Sequence, residues 1–192
     1  MRRVIIILIT TLSCFQLYGK ELSELNHFLK RYGNFKKLSA NFKGEKFLKR
    51  FDATIKSEGK LIVNRPDSLT WKILRPVPTT YEFTKNSLKI FEDGKLSQNL
   101  DIAKLGPGAH KSIGGLMAWL KLDSKTIEKY YFVSRSGKDQ FSFTYKESDP
   151  PFKKILATLA PKGYISKVEI TELSGDVLTL TFERPEIIRE KI

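Results

Sequence analysis

Two hydrophobic periods divide the chain. In residues 20 to 33, KELSELNHFLKRYG, the side chains of Leu22, Leu25, Leu29 and Tyr32 recur at helical spacing, and Gly33 supplies a stop. One amphipathic helix is predicted there. From Phe35 onward the period becomes two, and segments near 37–50, 51–64, 69–75, 79–85, 87–91 and 95–102 read as successive strands. Their connections carry turn signals such as RPDS, PVP, KNS and EDG and are too short for crossover helices, so the sheet should be antiparallel and meandering. The alternation breaks at LGPGAHKSIGGLMAWLKLD, residues 105 to 123. Between its glycines, Ile113, Leu116, Met117 and Leu120 share a helical face with Trp119 at its edge, which predicts a short apolar helix on flexible joints. Further strands are predicted near 128–135, 139–146, 164–172 and 176–183, with a turn or short helix at PPFKKILATLAP, residues 150–161.

Along these strands one face is apolar. Leu69, Trp71 and Ile73 point one way while Thr70 and Lys72 point the other. Phe42, Leu61 with Val63, Tyr81 with Phe83, Phe141 with Phe143, and Leu178, Leu180 and Phe182 extend the arrangement. About ten strands with one wet face each, and a helix at the start and another in the middle, predict a mainly β fold. The sheet should be an incomplete, half-open antiparallel barrel with the helices over its opening as a lid. Thirteen Phe, seven Tyr and two Trp are enough to line a concave interior. Alternating aromatics are, however, more often plain core than cavity wall.

The first residues change the picture of where the protein works. Arg2 and Arg3 precede an apolar run from Val4 to Leu12, and charge returns only at Lys20 and Glu21, the pattern of a signal peptide. The run is about half of the ~20 residues that span a bilayer. Two ends for the leader compete: cleavage after Gly19, or a lipoprotein-like site at Cys14, the only cysteine. The expected organisation is therefore a leader over 1–19 and one exported domain over 20–192, with a lipoprotein acylated at Cys14 as the alternative. No intrachain disulfide can form, so the fold rests on its own core.

Net charge is +13 and falls to +11 once Arg2 and Arg3 leave with the leader, which carries no acid. The cations are scattered through amphipathic strands instead of gathered in an arm, and export removes the chain from nucleic acid. Anionic lipid headgroups at a transient membrane contact, or an acidic protein face, remain as partners.

Candidate catalytic patterns are weak. His27 and His110 are the only histidines, and neither sits in a nucleophile-elbow context or beside metal-spaced ligands. SEGK at Ser57–Lys60 has the S-x-x-K form, but on a strand its first and last residues face opposite sides. GPGAHKS, residues 106–112, is close to a phosphate loop but has His110 where glycine is required. The residues alone thus lead to an exported, basic, antiparallel half-barrel that is not an enzyme, binds no metal and implies no cofactor.

At residues 57–76 the sequence resembles the LolA family of periplasmic outer-membrane lipoprotein carriers. The likeness rests on Gly59 before the apolar strand Leu61-Ile62-Val63, then Arg65-Pro66, Leu69-x-Trp71 and Pro76. It continues in LSANFKGEK, TKNSLKIFEDGK and LTFERPEI. The resemblance implies a monomer whose hydrophobic cavity shields the acyl chains of lipoproteins, or of a related acylated lipid. It would receive them from an inner-membrane donor transporter and pass them to an outer-membrane acceptor. It also implies that Arg65 latches the barrel to the lid when the cavity is empty. A LolB-type acceptor acylated at Cys14, a carrier of a non-lipoprotein lipid, and an adaptor with a filled interior are the alternatives. The intact mass of the exported chain separates two of them: a soluble carrier begins at Lys20, whereas an acceptor carries a lipid on Cys14.

Overall fold

The computed structural model describes residues 23–27, 29, 35–105, 124–146, 150, 152–161 and 164–189. The predicted leader with Cys14, and the apolar stretch holding Ile113, Leu116, Met117, Trp119 and Leu120, lie outside the described residues, as does His110. Residues 23–27 and 29 are helical (α1), and Ser124–Tyr130 forms α2. Eleven strands make one sheet. In chain order they are β1 Lys37–Leu48, β2 Ala53–Asn64, β3 Ser68–Arg75, β4 Thr79–Phe83, β5 Ser87–Glu92 and β6 Lys95–Asp101, then β7 Tyr131–Gly137, β8 Gln140–Tyr145, β9 Lys154–Leu159, β10 Ile165–Thr171 and β11 Val177–Ile188.

The spatial order is β6-β5-β4-β3-β2-β1-β11-β10-β9-β8-β7, and every neighbouring pair is antiparallel. Only β1 and β11 pair across the chain; all other neighbours are consecutive in sequence. From this central seam the two halves meander outward in opposite directions, leaving β6 and β7 as the edges. Because strand direction alternates and the strand number is odd, the two edge strands run the same way. Residues 102–130 therefore carry the chain back along the length of the sheet, from the end where β6 stops to the end where β7 starts.

Local chemistry fixes the turns and bends. Asp93 and Gly94 both have positive φ (47° and 77°) in the two-residue loop between β5 and β6, the twist that hairpins favour. Pro66 lies in the turn after β2 and Pro76 follows the end of β3, so neither removes a ladder hydrogen bond; both Arg-Pro bonds are cis. A third pair, Arg184-Pro185, falls inside the central strand β11. There Ser39 pairs with Glu186 and Asn41 with Glu183, so Ala40 alone opposes both residues. The resulting bulge, with Arg184 at φ 51°, is what accommodates a proline in an inner strand.

Two expectations are corrected. Residues 154–159 are not a turn or helix but strand β9, paired on both sides by β8 and β10. Ile155 and Ala157 are buried inward, while Leu156, Thr158 and Leu159 are half-buried, so the segment lacks the polar alternation that marks a one-sided strand. The strand expected near 128–135 begins only at Tyr131, because residues 128–130 complete α2. Among the described residues the total is accordingly eleven strands, one more than the ten segments expected.

Gly59 illustrates how tightly the sheet is bent. It faces Phe42 on β1 and sits where the β2–β3 register shifts, and a Cβ there would lie 2.0 Å from the Lys72 carbonyl oxygen and 2.8 Å from the Phe42 ring. Gly94 has open space around it and only its positive φ to defend. Gly59→Ala should therefore cost about 1–3 kcal/mol or more in urea denaturation, against about 1 kcal/mol for Gly94→Ala. Equal losses would show that the close approach at Gly59 is not needed.

Candidate functional site

Cross-strand registry lines up the apolar positions in rows. Leu38, Val63, Leu69, Phe83 and Leu88 form one, and Leu61, Trp71, Tyr81 and Ile90 the next. On the other half of the sheet, Leu180, Val168, Ala157 and Phe141 form a third row, and Leu178, Ile170, Ile155 and Phe143 a fourth. All thirteen cavity candidates from the sequence stand on this one face. Phe42, Leu61, Val63, Leu69, Phe83, Phe141, Phe143 and Leu180 are buried. Trp71, Ile73, Tyr81, Leu178 and Phe182 are half-buried.

Two buried clusters divide the face. One joins Phe35, Leu61, Val63, Leu69 and Phe83; the larger spans β7 to β11 and Phe42, and receives Leu25 and Leu29 of α1 and Ile127 of α2. Trp71 and Phe182 pack against both, so the clusters make a continuous apolar surface. Trp71 meets Phe42 edge-on, with ring centres 5.5 Å apart. The helical segments are tied together by a hydrogen bond from Asn26 Nδ2 to Glu128 Oε1 (2.8 Å), and Arg135 of β7 pairs with Glu24.

Among the described residues, Trp71 Nε1 and the Tyr131 hydroxyl find no hydrogen-bond partner. Tyr131 is enclosed by the rings of Tyr145 (5.5 Å) and Phe143 (6.2 Å), and burial, with Tyr145 second, raises its pKa well above the usual phenol range. A buried group without its bond costs about 1–3 kcal/mol. Both atoms can donate, so an apolar guest that brings a carbonyl oxygen matches them and one that brings only donors does not match Trp71.

Arg65 occupies the turn between β2 and β3. Its guanidinium carbon lies 4.0 Å from the centre of the Phe35 ring, and its backbone N–H donates to the Lys36 carbonyl at 2.9 Å. It is half-buried, on the margin of the smaller cluster instead of out in solvent. At the same end of the sheet β6 stops: Ile102, next in sequence, is buried, and its N–H donates to the Asn86 carbonyl at 2.9 Å. Arg65 and the point from which residues 102–130 set out thus lie at the same end of the sheet, with β4 and β5 between β3 and β6.

The opposite face offers less. A groove of about 500 Å³ lies beside Lys43, Glu45, Lys56, Glu58, Arg75 and Pro76. Its charges neutralise one another or a neighbour: Lys56 reaches Glu45 (3.8 Å), Arg75 reaches Glu58 (3.2 Å) and Lys43 reaches Glu183 (2.8 Å). Ser57 faces Gly44 across β1, whereas Lys60 takes the other side of β2, so the S-x-x-K pair is split as its strand setting requires. His27 is exposed on α1, and among the described residues no cluster of His, Cys, Asp and Glu could hold a metal.

The family described as "Outer membrane lipoprotein carrier protein LolA" matches residues 33–189. The chain belongs to the LolA family. Among solved structures, a DUF1329 family protein from Desulfovibrio piger shares the LolA-like fold with a TM-score of 0.50 at 6% identity, over 88% of this chain and 92% of its own. A LolA superfamily protein from Nitrosomonas europaea gives 0.46 at 10% identity, covering 87% and 94%. The lipoprotein LppX from Mycobacterium tuberculosis gives 0.47 at 8%, covering 91% and 97%. No curated protein matches the chain. Family membership accounts for an open, mainly β sheet with few helices and places the chain among lipoprotein carrier and binding proteins.

Sequence reasoning missed part of this LolA face. Tyr131, Val133, Ile155, Ala157, Val168 and Ile170 belong to the larger cluster, and the alternation of Val168 and Ile170 could have revealed the last two. Tyr131 also supplies a test. The unfolded chain ionises its tyrosines near pH 10.0 while folded Tyr131 keeps its proton, so its contribution to stability is present below that pH and lost above it. Tyr131→Phe should stabilise the fold by about 1 kcal/mol at neutral pH and lessen the alkaline decline, read by urea denaturation on either side of that pH. A destabilised variant with an unchanged alkaline decline would mean that the hydroxyl is satisfied.

Proposed function

We propose that this LolA-family protein is a periplasmic carrier that shields the acyl chains of lipoproteins, or of a related acylated lipid, between the inner and outer membranes. The observation that carries the reading is the continuous apolar face of an unclosed sheet on which Trp71, Ile73, Tyr81, Leu178 and Phe182 remain half-buried. Each large side chain of that kind gains about 1.5–3 kcal/mol when taken fully from water. A guest chain gains about 0.8 kcal/mol per buried methylene, so lipoprotein acyl chains bring tens of kcal/mol of gross drive. A binder that accepted all of it could never let go.

Release then needs a competitor for the apolar face, and the segment joining β6 to β7 is suited to be one. Residues 102–130 must cross between the sheet's two edges, and within them the apolar positions Ile113, Leu116, Met117, Trp119 and Leu120 would lie over the face when no cargo is present. Arg65, at the end of the sheet where that crossing starts, would hold this lid through hydrogen bonds to its carbonyls. Cargo would break those bonds, leaving a loaded form that is less stable and ready to hand over. The donor transporter and the acceptor would each meet a monomer, and no step calls for catalysis or a cofactor. The leader over residues 1–19 would deliver the domain over 20–192 to the periplasm.

Mass spectrometry of organic-soluble material that stays with the purified protein should find acylated molecules. Arg65→Leu should alter the release of a fluorescent acyl ligand several-fold more than its capture. Equal release rates in variant and wild type would remove Arg65 from the mechanism, and failure of the protein to bind any acyl ligand would remove the carrier itself.

A further inference from the structure

The antiparallel order gives the sheet two ends of different character. One carries the loops β1–β2, β3–β4, β5–β6, β8–β9 and β10–β11 together with the start of β7; the other carries Arg65 and the end of β6. Among the described residues nine large hydrophobic side chains are exposed, and only Ile188 stands at the Arg65 end. Phe47, Phe51 and Ile55 belong to the β1–β2 hairpin, whose residues 53–57 run beyond the last pairing of β3 at Glu58. Leu74 and Val77, Leu96, Leu173 and Phe132 stand on the neighbouring loops and strand ends. Water faces Phe51 over 70% of its surface.

Cations accompany two of these side chains: Arg50 lies 6.0 Å from the centre of the Phe51 ring and Lys146 5.4 Å from that of Phe132. Lys46 and Lys56 are paired with Glu172 and Glu45, but Lys49, Arg50 and Lys95 have no carboxylate partner among the described residues. Apolar groups spread over several loops and strand ends, two of their rings with a cation against them, do not make a groove for a peptide or helix. They do suit a plane whose surface is anionic and whose next layer is greasy.

We infer that this loop end, led by the hairpin residues Lys49, Arg50 and Phe51, docks on an anionic membrane surface, the cations on lipid phosphates and the ring between headgroups. The contact does not depend on the carrier reading, because it uses the outside of the molecule and not its apolar face. It would bring the start of β7, where residues 102–130 end, down to the bilayer.

Co-sedimentation of the full chain, without acyl ligand, with vesicles of phosphatidylcholine alone or mixed with phosphatidylglycerol tests it. The wild type should bind the mixed vesicles more tightly and lose binding as salt is raised. The double variant Arg50→Ser, Phe51→Ser should bind about tenfold more weakly, while Ile188→Ser at the far end should bind like the wild type. The charge reversal Lys49→Glu, Arg50→Glu repeats the test without touching an apolar group. Both variants alter exposed side chains, and circular dichroism checks that they fold. Undiminished binding by either hairpin variant, or no preference for phosphatidylglycerol, would overturn the inference. So would variants that bind vesicles normally yet fail in cargo delivery, which would make the loop end a protein-docking face. Vesicle binding without acyl-ligand binding would sink the carrier reading alone; the reverse would sink this one alone.

Discussion

Strand direction alternates across the sheet, and with eleven strands the alternation cannot be completed around a ring. β6 and β7 run the same way, so any closure between them would need the slanted bonds of a parallel pair in an otherwise antiparallel ladder. The same parity obliges the chain to travel the length of the sheet between these edges. The direction shared by the two edges and the long connection between them are thus two results of one count. A ten- or twelve-stranded meander could join its edges through a tight hairpin and would leave neither.

Openness has an energetic counterpart on the inner face. Half of the sheet is covered by α1 and α2, whose Leu25, Leu29 and Ile127 fill the space over β7 to β10. Over β3, β4 and β11 the covering is thinner, and large side chains keep part of their contact with water. Trp71 Nε1 and the Tyr131 hydroxyl, without a partner among the described residues, add to the cost of this state. A protein selected only for stability would replace Tyr131 by phenylalanine and fill the remainder. Arg65 works in the other direction, resting on Phe35 where the smaller cluster would otherwise meet solvent.

Most of the sheet was legible because one-sided strands advertise themselves. Leu69-x-Trp71-x-Ile73 and Leu178-x-Leu180-x-Phe182 alternate cleanly, and Asp93-Gly94 is a hairpin turn that needs positive φ twice. β9 escaped because it is an inner strand buried on one face and half-buried on the other, so KILATL reads as an apolar run that helix and strand share. The pairing of β1 with β11 was hidden for a different reason: no local signal links residues so far apart in sequence. The proline in β11 even argued against an inner position, since the bulge that admits it is a property of two strands together. At the site, the inward-facing residues were visible one strand at a time. The sharing of Trp71 and Phe182 between the clusters was not, because it depends on how the sheet curves. The setting of Arg65 on Phe35 likewise needed the start of β1 to be brought against the β2–β3 turn.

The seam between β1 and β11 bears on how the molecule comes into being. Synthesis and any passage through a narrow channel proceed from the amino end, so β1 to β6 emerge with their hairpins ready to form while β1 still lacks its second neighbour. That neighbour is the last strand to appear, and closing so long a loop is slow compared with zipping a hairpin. Until β11 arrives, β1 is a bare ladder edge with Phe42 beside it, open to pairing with a second chain. A helper that covers this edge until β11 arrives would therefore guard the one pairing in the sheet that no local hairpin can make.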